Sequence, residues 1–295
     1  MKLENSVIKL TKFFYLFFTK KPKVFWWSMK DSKQSSKENF GDVLTPYLIK
    51  KLSGFNPINF NPSSGYAYFI KHSMMVGSII SRSKKKTKVW GSGIIKKNED
   101  IKGGVFLAVR GPRTYKRVLD LGFKSNKIFG DPALLLPMVY KNKINKKYKF
   151  GIIPHYVDYE VIYAIYQNNK SVKVIDLMIN VDEVENIIDQ INECHYIISS
   201  SLHGIIVADT YNIPNVWLKF SNKLSGDDVK FYDYLESVNR VVKNVNSIEE
   251  IIVKSDYSLF ENTSENILEE MRKSLLSVYP YKVILKEKDF YANRK

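Results

Sequence analysis

The chain reads as an α/β protein built from two Rossmann-like domains in tandem that face a cleft. Three observations predict this. Apolar strand-like runs alternate with helix-period segments through most of the sequence. Both kinds of run are apolar enough to be buried, which argues for parallel sheets covered on both faces. A stretch dense in lysine and asparagine without apolar period, Tyr140–Lys149, divides the pattern. The expected organisation is a basic aromatic segment over 1–23, a first domain over 24–145, a second with a closing helix over 146–285, and a tail over 286–295.

Taken in order, Val24–Ser28 (VFWWS) reads as a short buried strand, followed by a polar loop over Met29–Glu38. Asn39-Phe40-Gly41-Asp42 opens a helix through Val43–Leu52, with Leu44, Tyr47, Leu48 and Lys51 at helical spacing; Ser53-Gly54 stops it. Lys88–Ser92 (KVWGS) and Val105–Arg110 (VFLAVR) are strand-like runs ending in turns. Gly111-Pro112 starts a helix over Arg113–Leu121, because proline's missing N–H is not needed in a first turn. Lys127–Phe129 and Gly130-Asp131-Pro132 finish this half. The second half runs strand Phe150–Pro154, helix Glu160–Gln167, strand Val172–Asp176, helix Val181–Glu193 and strand His195–Ser199. Helix Gly204–Tyr211 and strand Asn215–Lys219 follow, and helices Asp228–Leu235, Ile248–Val253 and Leu259–Ser277 close the chain.

Composition narrows the function. At 295 residues and 44% hydrophobic, the chain can bury a large core. Cys194 is the only cysteine, so no intramolecular disulfide forms, and its strand-like surroundings make it a core thiol. The four histidines (His72, His155, His195, His203) are scattered without zinc-type spacing, and we expect no metal. The net charge of +16 admits nucleic acid, an anionic membrane surface, anionic small substrates, or composition bias alone. Its lysines are spread through loops (20–23, 84–88, 141–149) without a nucleic-acid motif, so no nucleic-acid partner is expected. The apolar run Leu10–Phe18 is less than half the about 20 residues needed to span a bilayer. Thr-Lys-Lys-Pro-Lys after it is a poor signal-peptide cleavage site. Two readings stay open: an interfacial anchor on anionic lipid, or a helix packed on its own domain. Both place the protein in the cytoplasm, in the first case peripherally on the inner face of the membrane.

In open parallel sheets ligands bind beyond the carboxyl ends of the strands, so the strand-to-helix turns are where chemistry is expected. Ser199–Gly204 joins an apolar strand to an apolar helix. Free N–H groups and serines at a helix start can hold a phosphate or carboxylate, with His203 beside it as donor or proton carrier. The same turn also reads as a capped helix with a satisfied histidine. Arg110 ends a buried strand and either aims its fork into the cleft, where it suits an anion, or is a surface arginine at a strand end; Arg113 is the helix-face arginine placed to follow it. Asn39 is an N-cap, Gly41 allows close backbone approach, and Asp42 either takes a sugar hydroxyl or complements the helix dipole. Gly91 and Ser92 form a turn that can accommodate phosphate or sugar. His155, Ser200, Ser201, Leu202, Gly204 and Lys219 also sit at strand ends. No GxSxG elbow is present, so the serines are poor hydrolase nucleophiles.

The order of these turns carries more than any one. Asn-Phe-Gly-Asp (39–42), Trp-Gly-x-Gly (90–93), Val-Arg-Gly-Pro-Arg-Thr (109–114), Gly-Asp-Pro-Ala (130–133), Gly-Ile-Ile-Pro-His (151–155) and Ser-Ser-Leu-His-Gly (200–204) follow one another. The succession, over roughly 24–240, resembles the polysaccharide pyruvyl transferase family. The resemblance implies a GT-B-like fold and a phosphoenolpyruvate donor, with no further cofactor. It also implies a sugar acceptor in a cell-surface glycan or its lipid-linked precursor. It associates His203 and Arg110 with the donor and the chemistry, and Asp42 is our candidate acceptor contact or base. One rival is a nucleotide-sugar glycosyltransferase on the same fold, for which Asp227-Asp228 would grip a ribose, though the pair reads equally well as a helix start; another is a non-enzymatic, basic, membrane-surface partner in a glycan assembly complex.

Overall fold

The alternation of strands and helices becomes two parallel sheets in the computed structural model, which describes residues 2–243, 247–254 and 256–285. The first half runs α1 (Lys2–Phe18), β1 (Lys23–Phe25), β2 (Glu38–Asn39), α2 (Phe40–Ser53), β3 (Ile58–Asn59), β4 (His72–Met74), β5 (Thr87–Trp90), β6 (Val105–Ala108), α3 (Pro112–Asp120) and α4 (Leu136–Val139). The second runs β7 (Tyr148–Ile153), α5 (Tyr159–Tyr166), β8 (Val172–Val174), β9 (Met178–Ile179), α6 (Val184–Asn192), β10 (Cys194–Ser199), α7 (Leu202–Thr210), β11 (Asn215–Trp217), α8 (Val229–Ser237), α9 (Ile248–Lys254) and α10 (Glu265–Ser277). The first sheet has the order β3-β1-β4-β5-β6 and the second β11-β10-β7-β8, all parallel. The expected tail at 286–295 lies outside the described residues.

Local chemistry explains most of the boundaries. Asn39 caps α2 by accepting the Gly41 N–H at 3.0 Å, and Gly54 ends it in the left-handed conformation at φ 72°. Strands β3 and β4 escape a pattern search because Ile-Asn and His-Ser-Met are too short and polar to alternate. His72 is tolerated in β4 because its ring nitrogens meet Ile70 O (2.9 Å) and Thr87 Oγ1 (2.7 Å). The last helix starts later than its apolar pattern suggests. Residues Asn215 and Glu261 exchange backbone hydrogen bonds, which keeps Glu261 out of the helix, and α10 begins at Glu265. Cys194 is buried, and that burial pushes its thiol up to about 12.

The halves share a core. Val24, Trp90 and Ala108 of the first sheet belong to one apolar cluster with Ile153 and Ile197 of the second, filled by α2, α6 and α7. The short antiparallel β2–β9 ladder ties the two halves, pairing Asn39 with Met178. The closing helices cross back. Trp90 Nε1 donates to Leu275 O of α10 at 2.9 Å, and Arg272 reaches Leu134 O and Thr210 Oγ1. Helix α8 lies against α3, where Arg113 grips Glu236.

Candidate active site

A cavity of about 520 Å³ opens where the carboxyl ends of strands from both sheets meet, within the size range of small-molecule sites. Its wall takes Trp27 and Met29 after β1, Asn39 and Asp42 at the start of α2, and Ser78 and Arg82 after β4. The second half supplies His155 after β7, Ser201, Leu202 and His203 after β10, and Lys230 from α8. Loop 28–34 is shaped by buried Glu38, which accepts Ser28 Oγ–H at 2.6 Å and Met29 N–H at 2.7 Å.

His203 stands at the start of α7 and is only 12% exposed. Burial, then the charges of Arg110 and Lys230, lower its pKa to about 3, so its ring is neutral at neutral pH. Its Nε2 has no hydrogen-bond partner and lies 3.8 Å from Asp131 Oδ2, which is equally buried and unpartnered. Asp131 Oδ1 accepts Ala133 N–H at 2.9 Å. Burial raises the Asp131 pKa to about 6, against that hydrogen bond and Arg110, which lower it. The ring's other edge rests on Gly41: a Cβ there would lie 2.0 Å from His203 Nδ1. The close approach that glycine allows in the Asn-Phe-Gly-Asp turn is therefore made by the catalytic candidate on the opposite sheet.

Asp42 lines the cavity. Burial, then Glu38, raises its pKa to about 7, with Lys230 opposing. Lys230 is held down to about 8, first by burial, then by Arg110. No hydrogen bond or ion pair joins Lys230 to a carboxylate among the described residues. Its ammonium lines the cavity, and Asp228 and Asp42 act on it only through space. His155 is lowered to about 4 by burial and then Lys230; its backbone N–H donates to Ser200 Oγ at 2.8 Å, and its Nδ1 is buried without a partner. Helix α7 begins at Ser201 without a side-chain cap, so its first-turn N–H groups can meet an anion.

Other expected site residues lie elsewhere. Arg110 does not reach the cavity: it is fully buried beneath the wall. Its Nε donates to Asp233 Oδ2 (3.1 Å), Nη1 to Ser78 Oγ (2.6 Å) and Nη2 to Ile94 O (2.6 Å). A Cβ at Gly93 would strike its guanidinium at 2.3 Å, so the Trp-Gly-Ser-Gly turn wraps the arginine and not a phosphate. In that turn Gly91 (φ 91°) packs on Pro132, and the buried Ser92 Oγ donates to Gly77 O. Arg113 is held by Glu236 over the Tyr232 ring, and Lys219 pairs with Asp228 at 2.8 Å. Ser200 braces His155, and Gly204 lets α7 sit on Ser199. Neither lines the cavity, whereas Asn39, Asp42, His155, Ser201, Leu202 and His203 do. The Asp227-Asp228 pair is engaged as well, with Lys97 N–H, Val229 N–H and Lys219.

Sequence reasoning missed Lys230, Arg82, Trp27 and Asp131 as wall or partner groups. Asp131 carried a signal, its place in a strand-end Gly-Asp-Pro turn. Lys230 carried none that separates it from the rest of the 46 lysines and arginines.

A ligand cavity at the carboxyl ends of parallel strands, with ionisable groups held far from their usual pKa inside it, is the build of a Rossmann-like enzyme. A sequence model of the family described as polysaccharide pyruvyl transferase matches residues 18–222. A protein of Acanthamoeba polyphaga mimivirus, described as "Uncharacterized protein L143", is 34% identical over 210 residues, which cover 67% of this chain and 70% of that protein. The chain belongs to the polysaccharide pyruvyl transferase family. It is a transferase whose family moves pyruvyl groups to polysaccharide in general. Among the described residues no helix is long and apolar enough to cross a membrane.

Proposed function

We propose that the protein transfers the pyruvyl group of phosphoenolpyruvate to a sugar of a cell-surface polysaccharide or its lipid-linked precursor, closing a cyclic ketal and releasing phosphate. The observation that carries this reading is the unpaired Lys230 in a cavity shared with neutral His203 and with Asp42. Phosphoenolpyruvate brings two anionic groups, and the cavity offers Lys230, Arg82 and the first-turn N–H groups of α7 to hold them. Arg110 acts on the site at one remove, holding Ser78 and biasing His203 and Lys230 by its charge. Asp227 and Asp228, the pair the nucleotide-sugar reading needs for a ribose, are both engaged by other groups of the protein, which argues against that reading.

The chemistry needs two C–O bonds at C2 of the donor. In the first step an acceptor hydroxyl adds to C2, its proton passes to Asp42, and a proton is delivered to C3, turning methylene into methyl. A carboxylate near pKa 7 is suited to take that proton at neutral pH. The His203–Asp131 pair, neutral ring beside a carboxyl near 6, is the candidate source of the C3 proton. In the second step another hydroxyl of the same sugar attacks C2 as the C2–O bond to phosphate breaks, and its proton leaves with the phosphate. Lys230 and the helix start stabilise the charge that grows on the leaving group. With its pKa near 3, His203 acts here as a neutral relay for the Asp131 carboxyl proton and not as an imidazolium acid; solvent then returns a proton to Asp131 and takes the one on Asp42.

The test is incubation of purified protein with phosphoenolpyruvate and glycan acceptors, reading phosphate release and the pyruvyl mass gain of the sugar. Wild type should give both in equal amounts, and His203→Ala neither, while its donor affinity stays close to wild type. Ketal formation at the wild-type rate in His203→Ala would remove the assignment. Binding of uridine or guanosine diphosphate in preference to phosphoenolpyruvate would remove the donor.

A further inference from the structure

Over residues 10–18, helix α1 buries one of its faces. Leu16 sits in a satellite core with Phe60, Ala67 and Ile70, and Phe13 packs on it with its ring 5.8 Å from Tyr66 and 6.3 Å from Phe69. Most other side chains of residues 10–18 point away from the protein. Leu10, Phe14, Phe17 and Phe18 are 57%, 49%, 55% and 72% exposed, and Tyr68 and Phe69 beside them are 68% and 65% exposed. These are not scattered residues. Phe14 and Phe18 stack at 6.2 Å, Phe17 and Phe18 meet edge-on at 5.3 Å, and Phe13 touches both Phe17 and Phe69. A contiguous ring surface of this kind marks an interaction site.

Charge says what kind. Residues 10–23 hold Lys12, Lys20, Lys21 and Lys23 with no acid, and residues 61–71 hold Lys71 with none. Lys12, Lys20, Lys21 and Lys71 are exposed and pair with no carboxylate among the described residues. We propose that this aromatic face with its lysine fringe docks on an anionic bilayer, the rings entering the headgroup boundary and the ammonium groups meeting lipid phosphates. A second copy of the chain suits the face poorly, because two-fold pairing would set the lysines of 10–23 and 61–71 against one another, and those segments hold no acid. The patch lies before the amino ends of β1 and β4, whereas the cavity opens at strand carboxyl ends. A docked protein therefore keeps its cavity mouth clear of the lipid.

The experiment is co-sedimentation of the full chain with vesicles of phosphatidylcholine alone and of phosphatidylcholine mixed with phosphatidylglycerol, at low and high salt. Binding should require the anionic lipid and weaken with salt. Lys20→Ala/Lys21→Ala should bind roughly 25-fold more weakly, about fivefold for each lysine. Phe14→Ser/Phe18→Ser/Phe69→Ser should lose at least about tenfold, with donor binding in the cavity unchanged. Because both lysines are exposed, the lysine variant keeps the test open if the ring variant folds poorly. Equal binding to neutral and anionic vesicles overturns the proposal. So does absence of binding to either, including the case of a dimer in light scattering that the ring substitutions dissolve.

Discussion

Replacing Lys230 by methionine should make the ligand-free protein more stable and a worse enzyme. Lysine 230 is held at about 8 against its usual 10.5, with burial the main cause and Arg110 the second. At about 1.4 kcal/mol per tenfold change in the proton equilibrium, that corresponds to about 3 kcal/mol of penalty for keeping the ammonium charged in the folded state. The unfolded chain binds the lysine proton more tightly, so the penalty is fully present below pH 8 and is relieved as pH rises towards 10.5. Methionine is of similar length and carries no charge, so Lys230→Met should raise the melting temperature by about 6 °C at pH 7, at about 2 °C per kcal/mol for a chain of this size. The advantage over wild type should shrink between pH 8 and 10.5. Donor binding should move the other way. A lost charge-assisted hydrogen bond to phosphate or carboxylate costs about 1.5–3 kcal/mol, or roughly 10- to 150-fold in phosphoenolpyruvate affinity. Thermal melts across pH and calorimetric titration with phosphoenolpyruvate measure both. A variant that melts no higher than wild type and binds the donor equally well would refute the reasoning, because Lys230 would then be neither strained nor a ligand.

Three further outcomes follow from the same geometry. Gly41→Ala places a methyl carbon 2.0 Å from His203 Nδ1 and must push the ring aside, so kcat should fall by about 100-fold or more while donor affinity changes little; single-turnover rates beside binding isotherms separate the two. Arg110→Ala leaves Asp233 as a lone buried charge and should cost about 3–5 kcal/mol in urea unfolding, with part recovered in Arg110→Ala/Asp233→Ala. Full stability with only donor affinity lost would instead make Arg110 a ligand. The transfer rate should fall as pH drops below about 7, where Asp42 gains its proton and ceases to be a base; Asp42→Asn should lower the rate and erase that limb. His203, neutral down to about pH 3, should add no limb in the same range.

What was legible in the sequence was what near neighbours decide. Strand-to-helix turns are written in a few adjacent residues, so the Asn39 cap, the Pro112 helix start, the Gly54 stop and the Ser-Leu-His-Gly turn were all readable. Their order along the chain also carried the family, since order survives without coordinates. Three-residue β4 and two-residue β3 were not readable, because too few residues alternate to show a period.

The site divides along the same line. The sequence by itself determined that His203, Asp42 and Asn39 begin helices at strand ends, and so face the region where parallel sheets bind ligands. Only the tertiary structure decided which cations stand free there. Arg110 looked like a ligand until Asp233, 123 residues on, took its guanidinium. Lys230 looked like any other lysine until the fold set it, half-buried, in the cavity wall without an ion pair to a carboxylate. The pKa of a group depends on who is near it in space and on how much water remains, and neither quantity is a property of its neighbours in the chain.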